Sequence, residues 1–115
     1  MEEIEKKTIV SCSGASNTGK YSDEVARRIM KNNQAKMLCL ARFSIDNDFV
    51  RIIKKDLSNL IVIDGCPVNC AENIMKKSNV NEYAHINITD FNIKKGETPV
   101  EEEKIIEIIK YLDTL

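Results

Sequence analysis

The run Leu60-Ile61-Val62-Ile63 is apolar at every position and stops at Asp64-Gly65. A strand that is apolar on both faces has to be covered on both sides, a condition met in parallel sheets flanked by helices. The rest of the chain keeps the same rhythm. Thr8-Ile9-Val10, Lys36-Met37-Leu38-Cys39 and Ala84-His85-Ile86-Asn87-Ile88 read as three further strands. Between them the apolar residues recur at helical spacing. Ser22 suits a cap for Val25, Ala26, Ile29 and Met30, with Asp23 and Glu24 on the dipole and Asn32-Asn33 at the end. Phe49, Val50, Ile52 and Ile53 mark a weaker second helix. Ala71, Ile74 and Met75 mark a third, with Pro67 in its first turn, where a missing N–H is no loss. Thr98-Pro99-Val100-Glu101 reads as a capping box before the stripe Ile105, Ile108, Ile109 and Leu112. Four alternations predict a small three-layer α/β domain. Its sheet is four-stranded and mostly parallel, in the order 2-1-3-4, with right-handed crossovers and helices on both faces.

At 115 residues the chain is expected to form one domain, residues 1–115. A formal net charge of -1 offers no basic field, so nucleic acid is not an expected partner. The acidic start Met1-Glu2-Glu3-Ile4-Glu5 carries no long apolar run, and no window approaches the roughly 20 apolar residues of a membrane span. A cytoplasmic protein with no membrane partner is the expectation. In a reducing cytosol, four cysteines point to metal ligands or working thiols rather than to disulfides.

The predicted sheet gathers those cysteines. Cys12 leaves the end of strand one, Cys39 the end of strand two and Cys66 the end of strand three, where ligands collect in sheets of this kind. Cys70 follows four residues after Cys66. If both sit in the first turns of the third helix, one helical turn puts their sulfurs on the same side. Zinc takes four thiolates in a tetrahedron, and a C-x3-C pair with two distant cysteines is compatible with that. Cys39, within Met37-Leu38-Cys39-Leu40-Ala41, reads equally well as a buried small hydrophobe.

Gly14 to Lys20 also spells G-x-x-x-x-G-K, the core of a phosphate-binding loop between a strand and a helix. Tyr21 stands where that loop needs Ser or Thr for magnesium, and Ser22 is one residue late. The plain alternative is that Gly14 and Gly19 permit a tight turn with positive backbone dihedrals. Three of the four glycines, Gly14, Gly19 and Gly65, lie in the two loops that carry Cys12 and Cys66. Backbone N–H groups in such loops stabilise a thiolate as readily as a phosphate.

The run Asp64-Gly65-Cys66-Pro67-Val68-Asn69-Cys70-Ala71 resembles the signature of the DGC-domain family of zinc-binding proteins. Ser11-Cys12-Ser13-Gly14-Ala15-Ser16-Asn17-Thr18-Gly19 is similar to that family's first cysteine loop, and Cys39-Leu40-Ala41 to its second cysteine element. Thr89-Asp90-Phe91-Asn92-Ile93 is similar to a Thr-Asp-x-Gly-Ile segment, with Asn92 in the place of Gly; Asn also tolerates left-handed dihedrals. The resemblance implies that Cys12, Cys39, Cys66 and Cys70 act together with zinc as the metal. It supplies no reaction.

His85, the only histidine, is expected away from the cysteine edge in a structural or surface role. Asp64 is expected to cap the turn before Cys66 or to accept a hydrogen bond that steadies a ligand. Lys20 either offsets thiolate charge or is simply solvated. Three functions follow. The first is a zinc-binding module, structural or regulatory, closed by four thiolates; were Cys39 to stay in the core, a water could take its place and open hydrolytic chemistry. The second is a thiol-chemistry enzyme or sulfur carrier using an activated Cys12 or Cys66 with Cys70 resolving it. The third is a nucleotide or phosphate binder through Gly14 to Lys20.

Overall fold

Four strands, β1 (Lys7–Ser11), β2 (Ala35–Met37), β3 (Leu60–Asp64) and β4 (Ala84–Asn87), form one sheet in the order β2-β1-β3-β4. All three pairings are parallel, as the apolar runs require. The computed structural model describes residues 7–32, 35–55 and 59–115. The helices are α1 (Asn17–Lys31), α2 (Leu40–Ile45), α3 (Asn47–Ile53), α4 (Cys70–Lys77) and α5 (Glu102–Leu112), with a 3-10 turn at Ile88–Phe91.

Side chains alternate across the strands and so divide the core in two. Ile9, Ile61, Ile63 and Ile86 meet Val25 and Ile29 of α1 and Ile105, Ile108 and Leu112 of α5. Val10, Leu60 and Val62 meet Phe43 of α2, Val50 of α3 and Ala71 and Met75 of α4. Helices thus cover both faces, and the expected three-layer α/β architecture is present. No helix among the described residues is long and apolar enough to cross a membrane.

Element boundaries differ from expectation where a cap comes from an unexpected residue. The first helix starts at Asn17 instead of Ser22, because Ser16 Oγ accepts from the Gly19 N–H at 3.1 Å. Ser22 is buried and donates to the Ile63 carbonyl at 3.2 Å, tying α1 to the sheet. The weak second helix is two short ones. Asp46 ends α2 and caps α3 by accepting from Phe49 N–H at 2.9 Å, and Ile52, expected inside, is exposed. The end of α1 at Lys31 agrees with expectation through Asn32; Asn33 lies outside the described residues.

The expected capping box before the last helix is absent. Helix α5 begins at Glu102 with no side-chain cap, while Thr98 Oγ1 accepts from the Lys94 N–H and closes the preceding loop. That loop is instead pinned by α1. Asn17 donates to the Lys94 and Thr98 carbonyls and accepts from the Gly96 N–H. Tyr21, fully buried, donates to the Pro99 carbonyl at 2.6 Å and accepts from the Glu101 N–H at 2.9 Å. Tyr21→Phe keeps the ring and removes both bonds, so it should cost about 1–2 kcal/mol. The measurement is a lower urea midpoint at unchanged m.

Candidate functional site

At the carboxyl edge of the sheet, β1 feeds a connection to β2 on one side, and the return from β2 lands on β3 at the other side. The order reverses between β1 and β3, which opens a crevice there. Cys12 follows β1 directly, and its N–H donates to the Ile63 carbonyl at 2.9 Å, extending the strand pairing to the site itself. Cys66 lies two residues beyond β3.

Two glycine loops interlock at this edge. A Cβ on Gly19 would sit 2.8 Å from Gly14 N, and one on Gly65 would sit 2.9 Å from the carbonyl carbon and oxygen of Thr18. The expectation of positive dihedrals at Gly14 and Gly19 is therefore wrong in its cause. Among the described glycines only Gly96 has a positive φ, and the glycines at 19 and 65 serve close backbone approach instead. The same packing bears on the phosphate-loop motif. The Gly19 N–H is taken by Ser16, and the Tyr21 hydroxyl is buried against Pro99, so neither group is free for a phosphate or its magnesium.

The interlocked loops are the ones that carry Cys12 and Cys66, and Cys70 follows at the start of α4. Burial pushes the Cys12 thiol pKa up, the Gly65 N–H donated to its sulfur pulls it down, and the negative charges of Asp64, Cys70 and Cys66 raise it further. The net direction is up. That direction is opposite to the lowered pKa an activated Cys12 would need. Cys12 and Cys66 are half-buried, and Cys70 is exposed. Cys39 is exposed too, at the N-cap of α2, so the alternative of a buried core residue is ruled out.

Helix α4 begins at Cys70, and Pro67 stands outside it in a turn rather than in its first turn. Asn69, just before Cys70, is left-handed at φ 57°, a conformation Asn adopts more readily than most residues. Its side chain makes no cap to the helix. Asp64 does that work from six residues before Cys70: its carboxylate accepts from Ala71 N–H at 2.7 Å and Glu72 N–H at 3.0 Å. Asp64 thus caps the helix that starts at Cys70, not the turn before Cys66 as expected, and its acceptor bonds go to Ala71, Glu72 and His85 rather than to a cysteine.

Sequence reasoning placed His85 away from the cysteine edge, and the structure corrects this. In parallel register Val62 faces His85 and Asp64 faces Asn87, so both polar residues of β4 stand on the α4 side of the sheet. His85 Nε2 lies 2.8 Å from Asp64 Oδ2, and Glu72, which also accepts from the Tyr83 hydroxyl, lies 3.8 Å from its Nδ1. Asn87 reaches the Cys66–Cys70 turn itself. The signal for both was the period of two: polar residues at 85 and 87, in an otherwise apolar strand, fall on one face beside Asp64.

Among the described residues no three Cys, His, Asp or Glu side chains stand as a ready-made coordinating group. The donor chemistry still suits a soft ion. Sulfur is the common donor of the set, and Asp64 Oδ1 and Oδ2 are already engaged by N–H groups and by His85. Cys12 directly follows β1, Cys66 and Cys70 flank the turn after β3, and Cys39 lies at the neighbouring strand end.

A chain from Pseudomonas aeruginosa, the anaerobic and virulence modulator AnvM, is 25% identical over 89 residues, which is 76% of this chain and 66% of the relative. The chain thus spans a little less than two thirds of that relative's length. No solved structure matches it. The pattern of the DGC domain matches residues 8–112, from β1 to the last residue of α5 with all four cysteines inside it, and the chain belongs to that family.

Proposed function

We propose that this chain is a zinc-binding module in which Cys12, Cys66, Cys70 and Cys39 supply four thiolates at the carboxyl edge of the sheet. The observation that supports the reading is the placement of the cysteines: Cys12 directly follows β1, and Cys66 and Cys70 flank the turn after β3, the strand paired with β1. Thiols set at neighbouring strand ends are suited to share one divalent cation. Zinc, when bound, holds thiols as thiolates and ties the loops that carry them. In this chain those loops end β1, β2 and β3 and begin α4.

The role is structural or regulatory and its home is the cytoplasm, where thiols stay reduced. The name of the Pseudomonas relative, a modulator, supports a regulatory role. Both glycine loops are packed backbone to backbone, so the residues present set the two half-buried cysteines on rigid supports and leave Cys39 and Cys70 open to solvent.

The test is metal analysis of anaerobically purified protein alongside each single Cys→Ser variant. One zinc per chain without visible colour is expected, with zinc lost in every variant. Retention in Cys39→Ser alone would reduce the site to three thiolates and an open position. Visible charge-transfer bands would point to an iron-sulfur cluster in zinc's place. Wild-type protein that holds zinc no better than a variant with all four cysteines changed to Ser would overturn the reading, and fast selective alkylation of Cys66 in that metal-free protein would favour thiol chemistry.

A further inference from the structure

Strand β4 contributes no cysteine, yet its last residue touches both ends of the Cys66–Cys70 turn. Asn87 is buried, and its Nδ2 donates to the Cys66 carbonyl at 2.8 Å and to Asn69 Oδ1 at 2.8 Å. Its Oδ1 accepts from the Thr89 N–H at 3.0 Å and from the Thr89 hydroxyl. The orientation of the amide follows from chemistry. A backbone N–H can only donate and a carbonyl can only accept, so the oxygen has to face Thr89 and the nitrogen the turn.

We propose that Asn87 is the positioning residue of the Cys66–Cys70 pair, gripping the Cys66 carbonyl and the Asn69 side chain at once and so fixing the spacing at which the two thiols meet a metal ion. The inference rests on the zinc reading for its ligand, and on the turn alone for its geometry. Both donor hydrogens of Asn87 are spent on this one turn, one on the residue that is Cys66 and one on the residue before Cys70. The turn's other polar groups are held from within. The Asn69 N–H donates to the Cys66 carbonyl at 3.1 Å, and Asn73 Nδ2 donates to the Val68 carbonyl at 3.1 Å. These bonds curl the turn on itself. Asn87 ties the curled turn to the sheet, from the strand paired with β3. A second tie, from Asp64 to Ala71 and Glu72, holds α4 but does not reach Cys66.

The decisive variant is Asn87→Asp. It keeps the shape and the acceptor for Thr89, and replaces the donor with an oxygen that faces the Cys66 carbonyl and Asn69 Oδ1. Asn69→Gly is the companion, because glycine accepts the left-handed φ and only one of the two contacts is lost. Zinc affinity by competition with a chromophoric chelator should fall about 10–100-fold in Asn87→Asp and by less in Asn69→Gly, the range usual for loss of a group that orients ligands. The absorption of bound Co(II), which reads tetrahedral thiolate geometry, should weaken in the same order.

A second readout needs no metal. In apo protein, a dithiol-bridging arsenical should link Cys66 to Cys70, identified by mass spectrometry of the bridged peptide. Its rate, taken relative to single-thiol alkylation by iodoacetamide, should fall at least tenfold in Asn87→Asp, since a turn that has lost its tie loses effective concentration between its ends (about tenfold or more for oriented groups). Thermal melts of the apo variants report the fold separately. If wild type holds no zinc but the arsenical ratio falls as stated, the metal reading fails and the positioning role stands. If the ratio and, where zinc binds, the affinity and cobalt spectrum are unchanged in Asn87→Asp, the positioning role is wrong. It is equally wrong if both variants lose affinity only in proportion to a lower melting temperature.

Discussion

Gly65→Ala is expected to destabilise the protein by about 3 kcal/mol, toward the upper end for overpacking, and to disturb the cysteine edge before anything else. The added methyl has no empty space to enter. It would lie 2.9 Å from the Thr18 carbonyl carbon and oxygen and 3.0 Å from Gly19 N, all backbone atoms at the start of α1. Flexible side chains can move aside, but this backbone is already fixed. Gly19 is pressed against Gly14, Ser16 caps the helix, and Asn17 and Tyr21 hold the loop before α5. The strain therefore has to be relieved at Gly65 itself. Its N–H faces the Cys12 thiol and holds its pKa down, so the shift that accommodates the methyl acts on that thiol as well. Urea denaturation gives the stability loss, and the Cys12 thiol titration gives the local one: without the Gly65 donor its pKa should rise still further. Gly14→Ala is the control, since nothing lies within 4 Å of a Cβ there. A Gly65→Ala protein as stable as wild type would mean that the two loops do not interlock as described.

The strands and their order were legible because a parallel sheet writes its requirement into local composition. Leu60 to Ile63 had to be covered on both faces, and with helices between four such runs few topologies remain. The positions of Cys12, Cys39 and Cys66 at three strand ends followed from that order. What was not legible depended on residues distant in sequence. Pro67 looked like a helix start, but the helix begins where Asp64 can reach its N–H groups, and that is Ala71 and Glu72. His85 looked remote until β4 was set beside β3 in register, which puts it against Asp64. Gly14 and Gly19 were read for dihedral freedom, a local property, whereas Gly19 serves close approach to Gly14 within its loop and Gly65 serves contact with the backbone of Thr18 and Gly19 in a loop distant in sequence. Asn92 is the instructive contrast. Its left-handed φ of 60° was legible, because that preference belongs to the residue alone.

Asp64→Asn should destabilise the protein by about 1–3 kcal/mol, the range for leaving a buried hydrogen-bonding group unsatisfied. Asp64 is 1% exposed and accepts three hydrogen bonds, from Ala71 N–H, Glu72 N–H and His85. The two backbone groups can only donate. An amide of the same shape has one oxygen to offer them, and its NH2 has to confront either a backbone N–H or, at Oδ2, both Glu72 N–H and the His85 ring. The Ala71 residue is fully buried, so an unpaired N–H there finds no water in exchange. The loss should show first as faster amide exchange at Ala71 and Glu72, the opening of α4, before the global melt moves. Coupling to His85 is the sharper test. If the histidine acts through Asp64, then His85→Ala on top of Asp64→Asn should cost far less than His85→Ala alone, with an interaction energy of about 1–3 kcal/mol in the double-mutant cycle. Additive losses would mean that His85 supports the sheet by some other contact, of which Glu72 is the nearest candidate at 3.8 Å. Since α4 starts at Cys70, a helix that opens at Ala71 also releases that thiol from the neighbourhood of Cys12. The Asp64 carboxylate thus joins stability and site: the bonds that start the helix are the bonds that hold its first cysteine in place.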